Sequence, residues 1–185
     1  MKVKKTNIQG VLVVELDAYE DHRGWFIEVF EKTQMETIGI KDDFTQDVVT
    51  ISTAKNTLRG LHFQNPPYEQ SKFVRCQRGA FFDVAVDLRK KSKTFGKYFS
   101  VIISEKNSKS IFVPPGFAHG FCALDKENYV IYSCTKYRDA KSEVAINFND
   151  RNLKIKWPVK KAIVSKKDKS AISFNEFIKK YVYNR

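Results

Sequence analysis

Cysteine and histidine are scarce in this 185-residue chain, at three each. No stretch approaches the roughly 18 consecutive apolar residues of a membrane span, so no helical membrane anchor is expected. Cys76, Cys122 and Cys134 are odd in number, widely spaced and flanked by strand-like residues. That pattern suits reduced core thiols, not a disulfide framework or a zinc site. Residues 1–5 are basic, but only 11–14 are apolar before Glu15 interrupts. The core of a secretory signal is therefore missing, and a cytoplasmic location is expected. Helix-turn-helix, zinc-finger and RNP-type motifs are absent as well, which argues against nucleic acid as the partner. Without an internal repeat, linker or low-complexity tract, one domain spanning 1–185 is the expectation.

What is abundant is aromatic and cationic. Fifteen Phe and eight Tyr within a 42% hydrophobic composition indicate a globular, β-rich core. The formal net charge of +12 calls either for an anionic partner or for nothing more than a basic surface, and much of the excess sits in the lysine-rich segment 154–169.

Period-2 alternation dominates the chain. In 81–88 one face carries Phe82, Val84, Val86 and Leu88 and the other Phe81, Asp83, Ala85 and Asp87, the pattern of a strand with one side in a core. Apolar or alternating runs at 11–16, 26–30, 48–51, 58–64, 73–76, 98–104, 110–113, 120–124 and 129–135 are separated by turn signals such as Asn65-Pro66-Pro67 and Pro114-Pro115-Gly116. Many short strands at this spacing predict a sandwich or barrel. Two helices are expected. One is 31–38; the other is C-terminal, where Ser173 and Glu176 form a capping box ahead of a stripe of Phe174, Phe177, Ile178, Tyr181 and Val182 that should pack on the barrel exterior.

Each histidine can be weighed singly. His22 lies in a charged turn and reads as surface. His62 alternates with Leu61 and Phe63, so Gly60, His62 and Gln64 would face a cavity if this strand lines one; a hydrogen-bonded structural histidine is the alternative. His119 closes Pro114-Pro115-Gly116-Phe117-Ala118-His119, the Pro-x-Gly-x-x-His spacing of the second half of the cupin motif. A metal-binding cupin would carry His-x-His in its first half, but His62-Phe63-Gln64 puts an amide at the second histidine, so no metal is expected.

Seven segments then coincide in order: Asp21-His22-Arg23-Gly24-Trp25-Phe26-Ile27-Glu28, Leu58–Gln64, Gln70-Ser71-Lys72-Phe73-Val74-Arg75, 82–89, 112–121, Tyr132-Ser133-Cys134-Thr135 and Ile155-Lys156-Trp157-Pro158. Over about 10–168 the chain resembles the dTDP-4-dehydrorhamnose 3,5-epimerase family. The resemblance implies an all-β cupin jelly-roll (double-stranded β-helix) barrel. It also implies a cofactor-independent isomerase that moves protons at C3 and C5 beside the C4 ketone of a dTDP-linked 4-keto-6-deoxy sugar. In that family's pattern His62 is the base, Asp168 orients and stabilises its imidazole, Tyr132 is the acid on the opposite face, and Lys72 stands beside the developing oxyanion. Arg23, Glu28, Gln46, Arg59, His119, Glu143 and Lys167 match positions that contact the nucleotide-sugar, Phe26 faces the base, and Tyr137 is the candidate for stacking on it. The family borrows the Phe26 segment from a neighbouring subunit, which implies a homodimer.

The chain departs from the family's pattern in places. Lys136-Tyr137-Arg138-Asp139-Ala140 brings the aromatic one residue early and lacks the usual proline; Gln46-Asp47-Val48 replaces Gln-Asp-Asn; Ala145 replaces a glycine. An epimerase of another nucleotide-linked 4-keto sugar, or one acting at C5 or C3 alone, is the nearest alternative. A noncatalytic sugar-binding cupin and a metal-dependent cupin oxygenase are the alternatives from other classes.

Overall fold

The computed structural model describes residues 1–181. Two antiparallel sheets face each other. The first runs in the order β1 (Lys2–Lys5), β2 (Leu12–Glu15), β10 (Lys109–Val113), β7 (Lys72–Arg78), β12 (Asn128–Cys134), β5 (Gln46–Ser52). The second runs β13 (Glu143–Ala145), β6 (Leu58–Gln64), β11 (Phe117–Ala123), β8 (Ala80–Asp87), β9 (Tyr98–Ser104). From β5 onward the chain passes between the sheets at nearly every step, which is the winding of a cupin jelly roll. A separate hairpin, β3 (Ala18–Asp21) with β4 (Gly24–Ile27), precedes the barrel strands.

Strand alternation sorts side chains among three apolar clusters. Between the sheets lie Val74, Phe81, Ala85, Ile103, Ile111, Phe121 and Val130, with Tyr132 packed against them. Outside the five-stranded sheet, Leu61, Phe63, Val84, Val86 and Leu88 are covered by Phe174 and Phe177 of α3 (Phe174–Lys180). Outside the six-stranded sheet, Val14, Phe73 and Phe112 are covered by Met35 of α1 (Lys32–Thr37). Ser173 and Glu176 form the expected reciprocal cap on α3, and Glu31 caps α1 by accepting from the Thr33 and Gln34 amides. Val182, the last residue of the expected stripe, lies outside the described residues.

Some expectations are corrected. In β8 both faces are buried: Phe82, Val84 and Val86 face the C-terminal segment, whereas Phe81, Asp83, Ala85 and Asp87 face the barrel side. The strand expected at 26–30 runs instead over Gly24–Ile27, because it pairs with β3 and that register ends at Ala18↔Ile27. A third helix, α2 (Lys166–Lys169), was not expected. No helix among the described residues is long and apolar enough to cross a membrane.

One close approach positions the site. Gly60 has φ +115°, and a Cβ there would lie 2.7 Å from both the Gly120 Cα and the His119 carbonyl oxygen. Only glycine lets β6 and β11 come this near. The pairing sets His62 opposite His119 in register.

Candidate active site

β6 turns Leu61 and Phe63 outward and His62 inward, as its alternation predicts. β7 sends Val74 inward and Phe73 outward, so Lys72, two residues before Val74, also faces inward. β12 does the same with Val130 and Tyr132. These strands line a cavity of about 450 Å³. His62, Arg59 and His119 enter it from the five-stranded sheet, Lys72, Tyr132 and Thr50 from the six-stranded sheet, and Ile163, Val164, Ser165 and Asp168 from the C-terminal segment.

That last segment is held across the barrel by the Ile163 amide donating to Asn56 O and the Leu58 amide donating to Ile163 O. It ends in α2, whose N-cap Ser165 accepts from the Asp168 amide at 3.1 Å and donates through Oγ to Asp168 Oδ2 at 2.9 Å. Asp168 is only 4% exposed, and its Oδ1 lies 2.6 Å from His62 Nε2. An acid inside a run of lysines is thus buried and doubly held. Burial pushes its carboxyl up, but the hydrogen bonds from His62 and Ser165 outweigh it and leave the group below the usual aspartate range.

Lys72 and Tyr132 are neighbours, with Lys72 Nζ 5.8 Å from the Tyr132 ring centroid. Burial lowers the Lys72 ammonium below the usual lysine range, opposed by the charges of Cys134, Glu143 and Asp83. Burial likewise pushes the Tyr132 phenol up to about 12, with Cys134 adding to the shift and Arg59 opposing it. Among the described residues no carboxylate ion-pairs with Lys72, which leaves its charge available to a bound anion.

A smaller pocket of about 100 Å³ adjoins, lined by Gln46, Gln64, Arg138 and Glu143 as well as His62, Lys72 and Tyr132. Glu143 is clamped by Arg138 at 2.7 Å and Lys167 at 2.8 Å. Burial raises its carboxyl, yet the bonds from Lys167 and Arg138 bring it below the usual glutamate range. Gln46 Oε1 accepts from the Arg138 amide. Gln64, at the place where a metal cupin would carry its second histidine, spends its amide on two backbone segments: it donates to Tyr68 O and to Tyr137 O and accepts from the Asp139 amide. Among the described residues, no three His, Cys, Asp or Glu side chains converge as a metal site. All three cysteines are free thiols.

The chain therefore brings together His62, Asp168, Tyr132, Lys72, Arg59, His119 and Glu143 around the larger cavity, with Gln46 in the adjoining pocket and Lys167 tied to Glu143. It does not bring Arg23, Phe26 or Glu28 there. Arg23 is bonded to Asp21 at 2.6 Å on the hairpin, and Phe26 is 64% exposed beside Trp25 and Tyr19. Tyr137 is 71% exposed and lines neither pocket. Sequence reasoning missed Ser165, although Ser165-Lys166-Lys167-Asp168 has the Ser-x-x-Asp spacing of a helix cap. It also missed Asp83, which is fully buried with Oδ2 2.8 Å from His119 Nε2. Only the β8–β11 pairing makes those two neighbours, so no local signal could have found them.

A family model described as dTDP-4-dehydrorhamnose 3,5-epimerase matches residues 5–176. Shigella flexneri dTDP-4-dehydrorhamnose 3,5-epimerase is 44% identical over 169 residues, covering 91% of this chain and 93% of that protein. The Legionella pneumophila dTDP-6-deoxy-D-glucose-3,5-epimerase, solved in complex with dTDP-4-keto-L-rhamnose, superposes with a TM-score of 0.94 at 37% identity, covering 100% and 98% of the two chains. A 3'-monoepimerase from Streptomyces bikiniensis in complex with dTDP-quinovose has a TM-score of 0.87 at 28% identity, covering 94% and 88%. Jelly-roll winding and a sugar-sized cavity walled by imidazole, phenol and ammonium groups define the class: a cupin-fold carbohydrate epimerase, an isomerase. Within that class, the chain belongs to the dTDP-4-dehydrorhamnose 3,5-epimerase family.

Proposed function

We propose that this chain, acting as a single domain, converts dTDP-4-dehydro-6-deoxy-D-glucose to dTDP-4-dehydro-L-rhamnose. The observation that carries the reading is that His62, hydrogen-bonded to a buried carboxylate at 2.6 Å, lines the same cavity as Tyr132 from the opposite sheet. A base on one wall and an acid on the other is what inversion at carbon requires, since the proton must leave one face of the ring and return to the other. The C4 ketone acidifies the C3 and C5 hydrogens. An ionised Asp168 can only accept, so His62 Nε2 carries the proton and Nδ1 is the atom that takes hydrogen from carbon. The electron pair left behind moves onto the C4 oxygen as an enolate, and the Lys72 ammonium stabilises that charge in a site where burial strengthens the interaction. Tyr132 then donates its phenolic proton to the far face of the carbon, after which solvent restores the phenol and removes the proton from His62.

Arg59, His119, Glu143, Gln46 and Lys167 are assigned to holding the nucleotide-sugar, with no cofactor in the cycle. Arg23, Phe26 and Glu28, exposed on their hairpin, are assigned to a partner's site in a homodimer. Tyr137 is assigned to the thymine end, where its exposure leaves a face open for stacking. The location assigned to the enzyme is the cytoplasm.

Incubation with the dTDP-keto-sugar in heavy water, read by NMR, tests the reading. Deuterium at both C3 and C5 is the expected result. Label at C3 alone would place the chain with monoepimerases like the Streptomyces bikiniensis protein, and no label at all would end the proposal.

A pH prediction follows from the two shifts. Because burial lowers Lys72 and raises Tyr132 to about 12, the ammonium loses its proton first as pH rises. Turnover should therefore fall on the alkaline side at a pH below the ordinary lysine value, while the phenol is still protonated. Solvent exchange into the substrate by Tyr132→Phe, which keeps His62 and Lys72, should fall at the same pH. An alkaline limb that disappears in that variant would assign the limb to Tyr132 instead.

A further inference from the structure

The lysine-rich segment that the sequence marked out is the one that crosses the cavity. Seven lysines against the single buried Asp168 put half of the chain's net +12 charge into residues 154–169. Ile163, Val164 and Ser165 line the cavity, with exposed Lys160 and Lys161 one residue before them, across Ala162, and exposed Lys166 and Lys167 immediately after. Lys167 is paired with Glu143 at 2.8 Å and already assigned to the nucleotide-sugar, whereas Lys160, Lys161 and Lys166 have no ion-pair partner among the described residues. Inside the cavity, Glu143 is matched by Arg138 and Lys167, and Asp168 is bonded to His62, so the cavity's own acids do not cancel this rim.

We infer that Lys160, Lys161 and Lys166 form an electrostatic collar that draws a nucleoside diphosphate toward the cavity without touching it. The inference rests on the proposed reading for its substrate, since a diphosphate is the ligand group whose dense negative charge such a collar attracts. Exposed charges of one sign around a low-dielectric cleft focus the field and raise the local concentration of the opposite ion. The effect operates through solvent, so salt removes it: the screening length is about 30 Å at 0.01 M and about 3 Å at 1 M. The collar thus acts on capture and leaves the proton transfers alone.

The test compares the parent with Lys160→Gln/Lys161→Gln/Lys166→Gln and with a control, Lys2→Gln/Lys4→Gln/Lys5→Gln. The control removes the same charge from β1, at the sheet edge opposite β5. Affinity for dTDP, measured by calorimetry, and kcat/KM with the keto-sugar are both followed from about 0.01 M to 1 M salt. At low salt the collar variant should lose about tenfold in both quantities, the loss should vanish at high salt, and kcat should hold. The control should track the parent. Equal salt slopes in parent and collar variant, or an equal loss in the control, would overturn the collar. Should the parent bind dTDP but not turn over the sugar, the dTDP salt series still decides the collar, while the epimerase reading fails separately.

Discussion

His62→Ala is expected to lower turnover about 10³-fold, close to 4 kcal/mol of transition-state stabilisation, and to lower deuterium entry at C3 and C5 by the same factor. The geometry leaves no substitute. His119, the other histidine lining the cavity, is tied to Asp83 at 2.8 Å and is only 5% exposed. Asp168 cannot replace the lost base directly, because it is 4% exposed and held by Ser165 from the far side. The fold should survive, since Asp168 keeps both of its Ser165 contacts when the imidazole goes. Thermal unfolding within a few degrees of the parent, together with NMR-monitored exchange, checks both halves. Exchange within tenfold of the parent would remove His62 from the chemistry.

Tyr132→Phe separates two events that His62→Ala abolishes together. Without the phenolic proton, the enolate can recover hydrogen only from the His62 side, so deuterium should still enter the substrate while inverted product falls about 10²- to 10³-fold. The ratio of exchange to inversion is the measured quantity. It should rise by that factor, because abstraction needs only His62 and Lys72, which enter from β6 and β7. Little of the fold depends on the hydroxyl, as Tyr132 packs on the inter-sheet cluster through its ring and no hydrogen bond to its oxygen holds another element among the described residues. Parallel loss of exchange and inversion would assign Tyr132 to binding. Inversion at the parent's rate would move the acid elsewhere.

Much of this site could be read along the chain because it sits on strands, where the period of two fixes which residues share a face. That rule alone puts His62 and Gln64 on one face, and the structure has them so; it also holds for Val130 and Tyr132, which both meet the inter-sheet cluster. Resemblance was needed for Asp168, whose setting between lysines reads as solvated; its burial depends on a segment 106 residues from His62 folding back across the barrel. Asp83 stayed hidden for the same kind of reason. The pairing of β8 with β11 sets Ala85 opposite His119 and Asp83 opposite Phe121, which brings Asp83 diagonally within hydrogen-bond reach of His119.

By itself, the sequence determined which residues alternate, where the C-terminal helix is capped, and which seven segments mark the family. All of these are written in spacing a few residues long. Tertiary structure alone decided which face of each strand meets the cavity. β8 makes the point: its apolar face lies beneath the C-terminal segment, while the face bearing Asp83 and Asp87 turns toward the barrel. Alternation distinguishes two faces but carries no sign. The sign is set only when a second sheet or a returning segment covers one of them and a partner such as Arg89, paired with Asp87, satisfies the buried charge on the other.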